Sequence, residues 1–169
     1  VMAPEVLEGL KVGSGGTYID CTVGEGGHAT AIMTASPSGS KLLGIDPDSE
    51  ALETAKRRLN RHGRNVTLTK GSYANLQDLA FQANSIPADG ALFDLGVSSL
   101  QLAHTDRGFS FSREARLDMR FDRSQGLTAY DVVNNLDKEH LATIIKVLGD
   151  EKDGGLIASR IVNSRIEKK

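Results

Sequence analysis

Short apolar runs alternate with helical patterns along the first hundred residues. Three largely apolar runs end in an acid or a glycine-rich turn, which is typical of buried parallel strands: residues 17–23, 41–46 and 91–95. A weaker run at residues 65–70 alternates apolar and polar positions and predicts an edge strand. Between the runs, apolar residues recur at helical spacing in residues 52–59 and 76–83. This alternation predicts an α/β fold with a parallel sheet.

The pattern changes after residue 96. Residues 104–127 have no clean period and carry five arginines and four acids, which predicts a long irregular loop. Beyond the loop, apolar residues at helical spacing predict two amphipathic helices: Leu141, Ile144, Ile145 and Leu148, then Leu156, Ile157 and Ile161. We expect these helices to open a helical subdomain.

Composition and charge narrow the classes of protein. The 169 residues are 39% hydrophobic and 25% charged, which suits one globular domain. The net charge of −2 divides into −6 over residues 1–55, +4 over residues 56–123 and 0 over residues 124–169, so nucleic acid would meet the middle third. The single cysteine, Cys21, and the lack of a Cys/His cluster favour a reducing compartment and no metal. We expect a soluble, cytoplasmic protein without a membrane segment.

The densest motif is a glycine-rich turn after the first predicted strand. Residues 20–28 read DCTVGEGGH, so three glycines fall within four positions directly before a predicted helix. Glycine lets a ligand approach bare backbone, and a helix start presents unpaired N–H groups. The motif predicts a loop for a nucleotide-type cofactor. Because Gly24, Gly26 and Ala29 also satisfy the dinucleotide pattern G-x-G-x-x-G/A, an NAD-dependent oxidoreductase stays open here.

Three acids lie at or near the carboxyl ends of predicted strands. Asp20, Asp46 and Asp94 would converge at the carboxyl edge of the sheet, where open α/β sheets bind ligands. Asp46 can accept the ribose hydroxyls of an adenosine, and Asp48 is expected to cap the next helix. Carboxylates attract a sulfonium and repel a pyrophosphate, which favours S-adenosylmethionine over NAD. Tyr73, after the third strand, can flank an adenine or simply pack in the core.

Six ordered segments span nearly the whole chain. They are residues 20–28 (DCTVGEGGH), 45–48 (IDPD), 94–99 (DLGVSS), 107–111 (RGFSF), 116–120 (RLDMR) and 128–134 (TAYDVVN). Together they closely resemble the RsmH/MraW family, S-adenosylmethionine-dependent methyltransferases that modify N4 of one cytidine in 16S small-subunit ribosomal RNA. The resemblance implies a Rossmann-like class I S-adenosylmethionine-dependent methyltransferase fold, with a partial parallel sheet and the start of a helical insert domain.

The resemblance also implies site residues and domain boundaries. Cofactor contacts are implied at Gly26, Gly27, His28, Asp46, Tyr73, Asp94 and Gln101. At the start of a helix, His28 is expected to contribute its backbone rather than a catalytic ring. Residues 1–103 would form the cofactor-binding core, and residues 104–169 the start of a substrate-recognition insert that helps to hold the RNA. Asp94 is also the candidate catalytic residue, because a carboxylate accepting an N4 proton would free its lone pair.

Departures from the family pattern leave an alternative function open. Ala103 stands where an acid is usual, and residues 148–151 read LGDE in place of the family's Tyr-Gly-Glu-Glu signature. Family members are longer, and the chain resembles their N-terminal half. A non-catalytic cofactor- or RNA-binding fragment is therefore the alternative to a working methyltransferase.

Two basic stretches are candidate RNA contacts. A base read on its edge must be unpaired or flipped out and then held by stacking and phosphate contacts. The loop offers Phe109, Phe111, Arg107, Arg113, Arg116 and Arg120 for this purpose. Its acids can instead pair internally with those arginines: Asp106, Glu114, Asp118 and Asp122. Residues 56–70 carry six basic groups and no acid, and can equally form a solvated helix face.

Overall fold

A four-stranded parallel sheet lies at the centre of the first part of the chain. Its strands are β1 (Thr17–Asp20), β2 (Lys41–Asp46), β3 (Val66–Lys70) and β4 (Gly90–Leu92). Their spatial order is β3-β2-β1-β4, with every neighbouring pair parallel. This computed structural model describes residues 2–103, 105–112, 114–124 and 126–167. The predicted α/β fold is confirmed, and the alternating run forms an edge strand as expected.

Helices cover both faces of the sheet. They are α1 (Ala3–Gly9), α2 (Gly27–Ala35), α3 (Ser49–Leu59) and α4 (Leu76–Gln82). A short helix, α5 (Ser99–Ala103), follows β4 in the chain. Because side chains alternate along a strand, Tyr18 and its neighbour Ile19 enter different cores. The core around Tyr18 includes residues of α2 and α3, and the core around Ile19 includes Ala80 of α4.

Two predicted strands are shorter than their apolar runs. The run at residues 17–23 leaves regular pairing after Asp20, although the Cys21 N–H still donates to the carbonyl of Leu92 and the Val23 N–H to that of Ile45. Likewise β4 stops at Leu92, so the last three residues of the run at 91–95 lie beyond the strand. In both places the chain turns away at the carboxyl edge of the sheet, which is where the candidate site residues lie.

The chain folds as two compact units that meet between Gln101 and Leu102 in the sequence. The second unit contains α6 (Ala129–Asn135), α7 (Lys138–Val147) and α8 (Gly154–Glu167), with α7 packed on α8. Both predicted amphipathic helices are present, but Leu148 lies beyond the end of α7 and is exposed. The roles assigned to residues 1–103 and 104–169 stay predictions.

The irregular segment of the second unit is organised around a buried arginine. Arg107 is almost completely buried, and its Nη2 donates to the carbonyls of Arg120 (3.0 Å) and Phe121 (3.2 Å). Gly108 has φ +70°, and an added Cβ would lie 2.5 Å from the Arg116 carbonyl oxygen. The segment therefore folds back on itself, and its specific contacts replace regular secondary structure.

Within the described residues, no helix is long and apolar enough to cross a membrane.

Candidate functional site

The glycine-rich loop joins β1 to α2 and is tied to the end of β2. The Gly24 N–H donates to Asp46 Oδ2 at 2.8 Å. Gly26, at the N-cap of α2, has φ +80° and is buried against α3, so that an added Cβ would lie 3.2 Å from the Cα of Ala55. Gly27 begins the helix and is exposed. Glycine is required at position 26 for both its backbone conformation and the close approach of α3.

Asp46 organises the loop as well as facing the carboxyl edge. Its second oxygen, Oδ1, accepts the Asp48 N–H at 2.9 Å, and its side chain is buried. Burial raises the pKa of Asp46, while the N–H donors of Asp48 and Gly24 lower it. A carboxylate has about four lone-pair sites, so these two bonds leave acceptor capacity for ribose hydroxyls. Asp48 caps α3 by accepting the Glu50 N–H, as predicted.

Asp20 holds an orphaned polar atom in the same region. Its Oδ1 accepts the Thr22 N–H at 3.2 Å, whereas the buried Oδ2 has no hydrogen-bond partner among the described residues. Burial raises the pKa of Asp20 to about 6, and the charges of Asp46 and Asp94 act in the same direction. The three acids predicted to converge are thus close enough to interact electrostatically. A cationic or hydrogen-bond-donating ligand would satisfy the unpaired oxygen.

Asp94 follows β4 and has an exposed side chain. Its backbone N–H donates to Thr22 Oγ1 at 2.8 Å, and its Oδ2 lies 3.2 Å from Nε2 of His28. The imidazole therefore contacts Asp94 directly, which the expectation of a backbone role for His28 did not foresee. Thr22 was also missed, because a hydroxyl inside an apolar run gives no periodic signal of a bond 72 residues away.

Tyr73 and Gln101 lie in different settings. Tyr73 is half exposed after β3, and its ring meets that of Phe93 edge to face with centroids 5.9 Å apart. Gln101 is buried, where its Oε1 accepts the Ser98 N–H and its Nε2 lies 3.4 Å from Asp48 Oδ2. Tyr73 thus leaves an aromatic surface open to a ligand. Gln101 instead supports the segment after β4, and no pattern in the sequence indicates its contact with Asp48.

The groups at this edge of the sheet fit S-adenosylmethionine. Three interacting carboxylates suit a sulfonium and an ammonium group, the loop offers exposed backbone at Gly27, and Tyr73 offers a ring face. The orphaned oxygen of Asp20 is consistent with a donor supplied by a ligand. Within the described part of the chain, no group of three or more His, Cys, Asp or Glu residues is arranged to hold a metal ion.

In the second unit, most predicted RNA-holding side chains have partners inside the protein. Arg120 forms a bidentate pair with Asp118, with Nη2 to Oδ2 at 2.7 Å, and Arg123 pairs with Asp106 at 2.9 Å. The internal ladder is therefore present in part. The other contacts are Arg107 to backbone carbonyls and over Phe109, Phe109 to Phe121, and Arg116 over Tyr130. Phe111 is fully exposed, and Arg113 lies outside the described residues.

A parallel α/β sheet in the order β3-β2-β1-β4, with a glycine loop after β1 and acids at the ends of the strands, defines a Rossmann-like protein of the class I methyltransferase type. Comparison with known families places the chain more narrowly. It belongs to the MraW methylase family, whose model matches residues 1–169. The resemblance carried by the six segments is thereby confirmed.

Curated relatives agree with this assignment. The chain is similar to proteins named "Ribosomal RNA small subunit methyltransferase H" from Brevibacillus brevis (42% identical), Dehalococcoides mccartyi (44%) and Syntrophotalea carbinolica (45%). These alignments cover 98%, 98% and 99% of the chain but 52%, 47% and 54% of the relatives. The chain thus spans about half the length of the relatives that it matches.

Two solved structures are similar to parts of the chain. A protein-L-isoaspartate O-methyltransferase aligns with 43% of it at a TM-score of 0.39, and NSun6 from Pyrococcus horikoshii with SFG aligns with 52% at 0.42.

Proposed function

We propose that this chain is the cofactor-binding part of an S-adenosylmethionine-dependent methyltransferase that modifies small-subunit ribosomal RNA. The observation that carries the proposal is the glycine loop tied to Asp46 beside the interacting carboxylates of Asp20 and Asp94. Membership of a methylase family along the whole chain supports it. We further propose that the target is N4 of a cytidine in 16S RNA of the small ribosomal subunit, and that the protein acts in the cytoplasm.

The cofactor would be held by the residues at the carboxyl edge. We assign the ribose hydroxyls to Asp46, the adenine to the open face of Tyr73, and the backbone contacts to Gly26, Gly27 and His28. When bound, S-adenosylmethionine would supply an electrophilic methyl group on a sulfonium. Gln101 holds the segment that follows β4 by its bonds to Ser98, so we assign it a supporting role in the same site.

Asp94 is the residue that we assign to the reacting amine. The N4 lone pair of cytosine is drawn into the ring, and methylation requires N4 to lose one proton. The Asp94 carboxylate is exposed, so a substrate can reach it. The His28 ring, donating from Nε2 to Asp94 Oδ2 at 3.2 Å, would orient that carboxylate. Cofactor binding alone is the competing role for Asp94.

Calorimetric titration of the chain with S-adenosylmethionine tests the cofactor, with NADH as the comparison ligand. Tyr73→Ala should weaken the binding of S-adenosylmethionine, because it removes the ring face assigned to the adenine. The ring is half exposed, so its loss should leave the fold intact. Phe81→Ala is the matched control, since it removes another exposed aromatic ring of the same unit. Asp46→Ala should abolish binding, partly through the loop that Asp46 holds. Preference for NADH would contradict the methyltransferase proposal and favour an oxidoreductase.

Transfer of labelled methyl groups to small-subunit RNA tests the reaction, with nucleoside analysis for N4-methylcytidine. Asp94→Asn should abolish transfer while keeping most of the affinity for S-adenosylmethionine, if Asp94 accepts the N4 proton. Loss of both would favour the competing role of Asp94 in cofactor binding. Cofactor binding without any transfer by the unaltered chain would favour the binding-fragment alternative.

A further inference from the structure

Basic side chains of the first unit are concentrated in one place. Residues 1–101 contain eight Lys or Arg and eleven Asp or Glu, a net charge of −3. Five of the eight cations lie within nine residues at the end of α3 and in the turn that follows it, and we call them the α3 basic surface: Lys56, Arg57, Arg58, Arg61 and Arg64. The electrostatic potential near this cluster is therefore positive, although the net charge of the unit is negative.

The α3 basic surface is exposed and little neutralised. All five side chains belong to exposed residues, and the ion pair found for them in the described part of the chain joins Arg58 to Glu25 at 3.8 Å. Arg61 Nη2 donates to Thr34 Oγ1 of α2 at 2.7 Å, and its Nε donates to the His62 ring. Partial burial and the charge of Arg61 lower the pKa of His62. The α3 basic surface thus contacts the glycine loop through Arg58 and α2 through Arg61.

A groove of about 540 Å³ opens between two of these cations. Lys56 and Arg64 lie on its rim, beside Glu53, Asn60 and Gly63, and its apolar floor is formed by Leu52, Leu59, Val66 and Leu68. Its lining comes from α3, the turn after it and the edge strand β3, and includes none of the residues assigned to the cofactor. A ligand with an anionic backbone and a flat apolar part would match both the rim and the floor.

Helix stability alone does not account for this arrangement. Cations in the last turn of a helix are favourable because they complement the helix dipole, which explains residues such as Lys56 and Arg58. Arg61 and Arg64, however, lie beyond the end of α3, where the dipole effect has fallen off. Their charges repel those of the preceding turn, so their presence favours an external polyanion.

Resting on the proposed function, we propose that the α3 basic surface binds the phosphodiester backbone of the RNA substrate. Arginine predominates in it, and the planar guanidinium matches the geometry of phosphate. An acidic peptide could also enter the groove, but Arg57, Arg58 and Arg61 lie outside the groove lining, so a ligand confined to the groove would not engage them. An extended polyanion reaches both the groove and these arginines.

The test is fluorescence anisotropy of this chain with a labelled single-stranded RNA of small-subunit sequence, at several salt concentrations. The variant Lys56→Gln/Arg64→Gln should bind about tenfold more weakly near 0.1 M salt, and the slope of log affinity against log salt should fall in magnitude by about 1.4. Lys11→Gln/Lys41→Gln is the matched control, because it removes the same charge from exposed residues of the same unit. That control should retain more of the affinity and the slope.

Three outcomes would overturn the assignment. The first is equal RNA affinity and equal salt dependence in the two double variants, and the second is no RNA binding by the unaltered chain at low salt. The third is a poly-glutamate peptide that the unaltered chain binds as tightly as the RNA and that Lys56→Gln/Arg64→Gln no longer binds. Titration with S-adenosylmethionine on the same preparations separates this inference from the proposed function. Cofactor binding that survives in Lys56→Gln/Arg64→Gln shows that the fold and the cofactor site are intact, whereas its absence in the unaltered chain counts against the proposed function itself.

Discussion

At the scale of single residues, Asp20 should make the stability of the protein depend on pH. Burial raises the pKa of Asp20 to about 6 from its ordinary 3.8, so the folded state binds the proton more tightly than the unfolded chain. The free energy of unfolding should therefore fall as the pH rises from about 4 to about 6, by roughly 3 kcal/mol at most from this group. Urea unfolding of Asp20→Asn at pH 4.5 and pH 7 should show a weaker fall.

An exposed acid provides the control for Asp20. Asp78→Asn makes the same chemical change in an exposed residue of α4 and should keep the pH dependence of the unaltered chain. Asp46, whose pKa burial also raises, adds to the fall in both variants. Identical pH profiles for Asp20→Asn and the unaltered chain would contradict a raised pKa at Asp20.

Gly26 should be intolerant of a side chain for two separable reasons. A Cβ there would lie 3.2 Å from the Cα of Ala55 and 3.3 Å from Leu59 Cδ1, at φ +80°. Gly39 has φ +93°, and an added Cβ there would meet nothing within 4 Å. Gly39→Ala therefore measures only the cost of the left-handed backbone conformation, about 1 kcal/mol. Gly26→Ala should cost about 1–3 kcal/mol more, measured by urea unfolding. Equal costs would mean that α3 simply shifts away.

The sequence predicted which residues lie at the site better than what they contact. Asp46 ends β2, whereas Asp94 and the glycines follow strands. Parallel strands end at one edge, so the convergence of these residues follows from topology. Contacts between side chains depend instead on the twist and packing of the finished sheet. The bonds from His28 to Asp94 and from Gln101 to Asp48 join residues 66 and 53 positions apart, and no local pattern encodes them.

At the scale of elements, the capping box of α6 should stabilise the second unit. Thr128 Oγ1 accepts the Asp131 N–H at 3.1 Å, while Asp131 Oδ2 accepts the Thr128 N–H at 3.0 Å. Thr128→Ala removes a nearly buried hydroxyl and should lower the free energy of unfolding by about 1 kcal/mol. Thr143→Ala in α7 is the control, because its exposed hydroxyl bonds back to Glu139 and alanine is the better helix former. A loss at Thr143 as large as that at Thr128 would contradict a capping role.

Helices were predictable where apolar residues recur at helical spacing. That spacing identified α3, α4 and α7, whereas α1 and α6 were missed. Length alone does not explain the difference, because α1, α4 and α6 have seven residues each. The segment around Arg107 was correctly predicted as irregular, but a buried guanidinium bonded to carbonyls could not be inferred from charge spacing.

At the scale of the whole molecule, the two edges of the sheet differ in character. At the β3 edge, Lys56 and Arg64 of the α3 basic surface lie on the rim of the groove, and their charge opposes pairing with a second copy. The β4 edge has exposed Ala91 within the strand, and Phe93, Leu95 and Val97 are exposed just beyond it. An unpaired strand beside apolar side chains is a template for association. On its own, this chain should therefore self-associate through β4.

Light scattering over a concentration series tests this association, and a charge placed on each edge locates it. Ala91→Lys puts a cation on the β4 edge and should shift the mean mass of the chain towards that of the monomer. Thr67→Lys places the same cation on an exposed residue of β3 and should leave the association unchanged. A monomeric chain at every concentration would contradict the prediction. If the two substitutions reduced the association equally, net charge would be its cause. Pairing through β4 should be weakened only by the substitution on β4.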